Sequence, residues 1–233
     1  MRSVLAILGI AVVALVISIV FQGSKDLSPA PQDEAALKLD EAQKAAWKKS
    51  EAEQKKAQQN AKRDFQPPRE GVTHVTLEVG GKGRITLELY PKAAPETVQH
   101  FMNLIREGFY KNIKFHRVEP VFVVQAGDPD TRDVSSSELA GMDEDRKSAM
   151  GIGSGGSGKN IPFEVNKLPH IKGSIAMALS APRSATGDSQ FFINLRDNMG
   201  LNGDYCVFGR VTKGMDVVEK IAVGDAIVGA SVE

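Results

Sequence analysis

HVTLEVG (residues 74–80) and GRITLELY (83–90) alternate apolar with polar side chains and are separated only by Gly81-Lys82. A period of two broken by a glycine-containing turn predicts a β-hairpin with one buried face. Downstream, PETVQHFMNLIREGFY (95–110) changes to helical spacing, with Val98, Phe101, Met102 and Ile105 on one face. Pro95 suits its first turn and Gly108 its stop. Further short strand candidates fall at 113–118, 121–126, 174–179, 191–195, 206–212 and 226–232, and a second short helix at 214–222. Eight short strands with two helices and no βαβ alternation over residues 70–233 predict a mainly β fold, an antiparallel barrel or sandwich. Residues 132–150, polar and acidic around Asp143 to Asp145, read as a surface-loop insertion, with a rim that modulates substrate choice as the sharper alternative.

Upstream of the hairpin the character differs. Val4 to Phe21 is a run of 18 residues, apolar except for Gly9 and Ser18, preceded by Arg2. A bilayer core takes a helix of about 17–25 apolar residues, and the leading positive charge favours a cytoplasmic N-terminus. Residues 1–23 are therefore expected to form a transmembrane signal anchor. A cleaved signal peptide is the alternative, although the run is long for one and Phe21-Gln22-Gly23 is a poor cleavage site. Both readings carry the rest of the chain across a membrane. Residues 24–69 combine a Pro-containing linker with an Ala/Glu/Lys/Gln-rich segment, 33–63, of strong helix formers. That segment predicts a solvated helical stalk roughly 46 Å long at 1.5 Å per residue, or a partner-binding helix centred on Trp47.

Composition excludes some functions. The 233 residues carry zero formal net charge, against a protein built to coat nucleic acid. The balance hides 11 Lys and Arg against 8 Asp and Glu in residues 1–69, and 18 against 21 in the remainder. A single cysteine, Cys206, allows no internal disulfide. GSGGSGKN (153–160) imitates a phosphate-binding loop, but Asn160 stands where Ser or Thr is needed and Pro162 forbids the following helix. His74, His100, His116 and His170 lack metal-ligand spacing, and no serine occupies a nucleophile elbow.

Three distant segments carry the remaining signal: FHRVEPVFVVQAGDP (115–129), SIAMALSAPRSATGDSQFFIN (174–194) and LNGDYCVFGRV (201–211). With APETVQHFMNLIREGFY (94–110), GSGGSGKNIPFE (153–164) and GMDVVEKI (214–221), taken in order, they resemble the cyclophilins, the cyclosporin-binding peptidyl-prolyl cis-trans isomerases. The resemblance covers residues 72–233 and is closer to compact bacterial members. It implies a closed eight-stranded antiparallel β-barrel capped by two α-helices, and rotation about X-Pro bonds, a reaction needing no cofactor or metal. It implies catalytic Arg117 with Phe122, Gln125 and Phe192, and a proline pocket of Phe122, Phe192 and Leu201 beside Val123. Gln125 and Gln190 would bind the substrate backbone and orient Arg117. Leu179, Ser180 and Ala181 would run beside the peptide, and Gly153 and Ser154 to Gly156 would line the pocket for the residue before proline.

Four features depart from the family pattern. Gly200 stands where cyclosporin-sensitive members carry Trp, so weak cyclosporin binding is expected. Tyr205 replaces a common His, Ala126 replaces a Gly, and the 132–150 insertion is additional. The expected partners are proline-containing polypeptides and, through residues 4–21, a membrane; nucleic acid is not among them, and the domain is expected to be a monomer. A catalytically weak proline-peptide binding module or chaperone on a membrane tether is the competing reading.

Overall fold

The structure, a computed structural model, describes residues 41, 43–53, 55–56, 59, 67–68 and 71–233. The apolar run 4–21 and the linker at 24–32 lie outside them. Among the described residues no helix is long and apolar enough to cross a membrane. Residues 43–53 are helical with exposed side chains, Trp47 included.

From residue 71 onward the chain forms one eight-stranded antiparallel sheet among the described residues. Its strands are β1 (Thr73–Val79), β2 (Gly83–Leu89), β3 (Arg117–Glu119), β4 (Val123–Ala126), β5 (Ser174–Met177), β6 (Phe191–Asn194), β7 (Val207–Lys213) and β8 (Ile227–Val232), in the order β3-β4-β6-β5-β7-β2-β1-β8. The predicted hairpin forms with Leu77 opposite Ile85 and Val75 opposite Leu87. All four are fully buried, as the period of two requires.

The expected closed barrel is corrected to an open, curled sheet with β3 and β8 as its edges. The strand that would close it, β3, has three residues and stops before Pro120, which has no N–H for a ladder. An irregular segment before β3 bridges the gap instead. Phe115 N–H donates to Asp225 O (2.9 Å) and Ile227 N–H to Ile113 O (2.8 Å).

The expected pair of capping helices is also corrected. Helix α1 spans Pro95–Arg106, α2 Ser136–Ala140, α3 Glu144–Ala149 and α4 Met215–Val218. Helix α1 begins on Ala94, which has no capping side chain. Glu164 supplies the cap from a distant loop, accepting from Glu96 N (3.0 Å), Thr97 N (2.7 Å) and Thr97 Oγ1 (2.6 Å). A carboxylate there satisfies orphan N–H groups and opposes the positive end of the helix. Phe101 then enters the sheet's concave side, 5.2 Å from Tyr110 and Phe208 and 5.5 Å from Phe191 between ring centroids. Burying each such ring contributes about 1.5–3 kcal/mol, which docks α1 on the sheet. Cys206 is buried beside Thr97, and burial pushes its thiol up to about 12.

The insertion is not a plain surface loop. Ser135 Oγ accepts from Glu138 N (3.2 Å) and Asp143 Oδ1 from Arg146 N (2.8 Å), so α2 and α3 each carry a side-chain cap. Val134, Leu139, Met142 and Ile152 form a separate small core with Val223. The buried Lys114 ammonium ties the start of the insertion to the segment before β3 through Thr131 O (2.8 Å) and Arg132 O (3.0 Å). Leu139 is fully buried, so Leu139→Ala is expected to cost about 2–4 kcal/mol in urea unfolding. A loss below about 0.5 kcal/mol, the size of an ordinary surface change, would mean that the insertion is not integrated into the domain.

Candidate active site

Antiparallel register brings distant residues into one row. Arg117 of β3 faces Gln125 of β4, Gln125 faces Phe192 of β6, Phe192 faces Ala176 of β5, and Ala176 faces Val207 of β7. Opposed residues share a sheet face, so all five point to the convex side. Their neighbours Val124, Ala126, Phe191, Ile193 and Ile175 point into the main core. Val123, Ala176, Phe192 and Val207 form a second apolar cluster with Phe122, Leu168, Ala178, Leu201 and Tyr205.

A cleft of about 300 Å³ opens over this cluster, lined by Arg117, Phe122, Val123, Gln125, Ala178, Leu179, Phe192, Leu201 and Tyr205. A second cleft of about 420 Å³ adjoins it, sharing Gln125, Ala178 and Leu179. Gly153, Ser154, Gly155, Gly156, Ser180 and Gln190 line the second. The structure thus brings together every sequence-derived site residue except Ala181, which lines neither. Ser180 N–H is already committed to Thr186 Oγ1 (3.0 Å).

Arg117 is held on three sides. Its Nη1 donates to Gln125 Oε1 (3.3 Å), its guanidinium lies 5.8 Å from the Phe122 ring centre, and Nε is 3.7 Å from Glu119 Oε1. Gln125 Nε2 donates to Gln190 Oε1 (2.9 Å), and Gln190 Nε2 to Gly155 O (2.8 Å). This relay fixes the cation at the mouth of an apolar cleft. Phe192 is fixed by stacking on the buried His170 ring (5.8 Å, 16°) and by the edge of Tyr205 (5.7 Å, 83°). Asn198 Nδ2 donates to Phe122 O (3.0 Å) and Asn194 Oδ1 (2.7 Å), so a buried polar network supports the cleft floor.

Two carboxylates shape the glycine-rich loop. Asp128 accepts from Gly153 N and Gly155 N, and Asp188 accepts from Ser157 Oγ, Gly158 N and Lys159 N. A Cβ on Gly155 would lie 2.3 Å from Asp128 Oδ1, and one on Gly156 2.4 Å from Asp188 Oδ2. Glycine is required at both positions by this close approach. The N–H groups that imitate a phosphate cradle are spent on internal carboxylates.

Asp188, Thr186, Gly158 and Ala178 line the clefts without having been singled out in sequence, and Asn160, noted only for spoiling a phosphate-binding loop, lines the second. Asp188 could have been found from its place two residues before Gln190 in GDSQ. Ala126 is accommodated as a fully buried core residue. A strained residue lies in the turn after β3, where Phe122 N–H donates to Glu119 O (3.0 Å). Val121 occupies its third position at φ +60°. A β-branched residue there costs on the order of 1–3 kcal/mol.

The family scan matches residues 74–230 to the cyclophilin type peptidyl-prolyl cis-trans isomerases. The chain belongs to the cyclophilin family. Among curated cyclophilin relatives, a probable peptidyl-prolyl cis-trans isomerase of Brucella suis is 42% identical over 144 residues, 61% of this chain and 68% of the relative. Peptidyl-prolyl cis-trans isomerase B of Bacillus subtilis is 38% identical over 157 residues, 67% and 94% of the two chains. The crystal structure of a Cryptosporidium parvum cyclophilin, in the presence of the dipeptide Ala-Pro, superposes with a TM-score of 0.55 at 25% identity, covering 69% of this chain and 98% of that one. This cyclophilin is accordingly a peptidyl-prolyl cis-trans isomerase.

Burial pushes the His170 ring down to about 4, and pushes His116 down to about 4 against the opposing Asp128 carboxylate. Unfolded histidine titrates near 6.5. Stability from these neutral rings is therefore full above that pH and falls as the pH drops toward 4, by up to about 1.4 kcal/mol per unit per ring. Urea unfolding at pH 5 is expected to give a stability about 2–4 kcal/mol below that at pH 7. Equal stabilities would mean that both rings take up a proton as readily in the folded protein as in the unfolded chain.

Proposed function

We propose that the cleft accelerates X-Pro rotation by stabilising the twisted amide. Rotation of the peptide bond faces a barrier of ~18–20 kcal/mol because the nitrogen lone pair is delocalised. On twisting, the lone pair returns to the prolyl nitrogen. Arg117 donates to that nitrogen and so interacts more strongly with the transition state than with the planar bond. Phe122, Val123, Phe192 and Leu201 hold the proline ring, and Gln125 and Gln190 keep the guanidinium aimed. No bond is made or broken, so no nucleophile or base is required.

The observation that carries this reading is the placement of Arg117: a cation stacked on Phe122, hydrogen-bonded by Gln125 and poised at the mouth of a ring-sized apolar cleft. Val4 to Phe21, followed by the Ala/Glu/Lys/Gln-rich spacer, supports a single-pass anchor that keeps the isomerase on the extracytoplasmic side of a membrane, by preference a bacterial inner membrane with the domain in the periplasm. Unfolded or exported polypeptides are the substrates such a position offers. The mass of the native N-terminus tests the anchor: an intact Met1 region supports it and cleavage near residue 23 overturns it.

Arg117→Ala is expected to lower kcat/KM on a prolyl peptide by at least about 10-fold, as loss of a transition-state donor does, with an unchanged circular dichroism spectrum. Phe192→Ala is also expected to impair it. Wild-type activity in Arg117→Ala would sink the mechanism. A Cβ on Gly200 would meet open space, so Gly200→Trp is expected to fold and to tighten cyclosporin binding. Sub-micromolar affinity in the unaltered protein would refute the weak binding proposed for it.

A further inference from the structure

Val121 combines two properties that folding alone does not reward. It sits at φ +60° in the turn joining β3 to β4, and it is 65% exposed. Pro120 at the second position and φ above zero at the third define a turn whose third position favours glycine or asparagine. A valine there carries backbone strain, and its exposed isopropyl group recovers little from burial within the protein. One peptide bond away, Phe122 lines the cleft beside Arg117. Val121 does not line that cleft itself, but it is exposed and directly precedes the cleft residue Phe122 in the chain. The same turn leads into Phe122 O, which accepts from Leu195 N (2.8 Å) and Asn198 Nδ2 (3.0 Å). The backbone just beyond Val121 is thus pinned, and Val121 cannot relax without moving Phe122.

Strain held in place beside a binding cleft points to a role in binding. We infer that Val121 is a specificity-determining residue of the isomerase, an apolar contact at the rim for an apolar side chain flanking the substrate proline. Its φ is imposed by the turn that sets Phe122, and its side chain extends the apolar wall of Phe122 onto the rim. This inference rests on the function proposed above, in which the 300 Å³ cleft takes the proline ring. The occupant is the substrate polypeptide itself.

The test uses the full-length protein and two prolyl peptides that differ in one flanking residue, leucine or serine. Arg117→Ala is run beside them, so that failure of the isomerase mechanism registers separately. Val121→Gly is expected to raise Tm by about 2 °C, as relief of a strained φ does. It is expected to reduce the leucine-to-serine ratio of kcat/KM about 3–10-fold, the discrimination carried by a small apolar contact, with the change in KM. Val121→Thr keeps the branched shape and the strain, exchanging a methyl for a hydroxyl. It is expected to leave Tm near wild type and to reduce the ratio by a smaller factor. If both variants keep the wild-type ratio while Arg117→Ala is inactive, the inference is overturned and the mechanism stands.

Discussion

Pleating is the constraint on which the rest of the structure depends. Successive residues of a strand must face opposite ways, and the sheet here uses both faces. Phe191 enters the main core and Phe192 the cleft; Val124 and Ala126 enter the core, Val123 and Gln125 the cleft. A one-residue slip of β4 against β6 would exchange the two sets. It would bury Gln125 among aliphatic side chains and expose Ala126 where a relay is needed. The register that fills the core therefore also aligns Arg117, Gln125 and Phe192, and selection for packing and for the site act on the same pairings.

The glycine-rich loop has a different logic. It has little apolar surface with which to hold a shape, so it is held by charge. Asp128 and Asp188, both buried, collect its N–H groups, and Glu164 does the same for the start of α1. In each case a carboxylate far away in sequence completes a backbone that lacks its own partners. Buried charges of this kind are tolerated only when nearly every lone pair is satisfied, which leaves little freedom in the loop. Stiffness near Gly155 matters, because its carbonyl is the last link of the relay that orients Arg117.

Much of the domain was legible in the chain, for identifiable reasons. The period of two in 74–90 and the helical spacing in 95–106 are local signals, and they report which face is buried. Segments such as FHRVEPVFVVQ and GDSQFFIN are informative because the resemblance links them across the chain. Closure of the sheet was not legible, since it depends on how a three-residue strand meets β8 and no local pattern records that. The insertion reads as a loop because its polar residues outnumber its three core residues, Val134, Leu139 and Met142. Its caps, Ser135 with Glu138 and Asp143 before Arg146, were present as sequence signals. Asp188 escaped notice because a lone Asp beside Ser reads as a turn residue; its value lies in the loop that wraps it.

Cys206, buried next to Thr97 with its thiol pushed up to about 12, has a consequence for where such a protein can work. Thiol exchange proceeds through the thiolate, and at neutral pH this site presents almost none. The chain's single cysteine leaves it no internal disulfide to form or lose, and burial keeps that one thiol from exchange partners. The fold is thus held without any covalent link that depends on the redox poise around it.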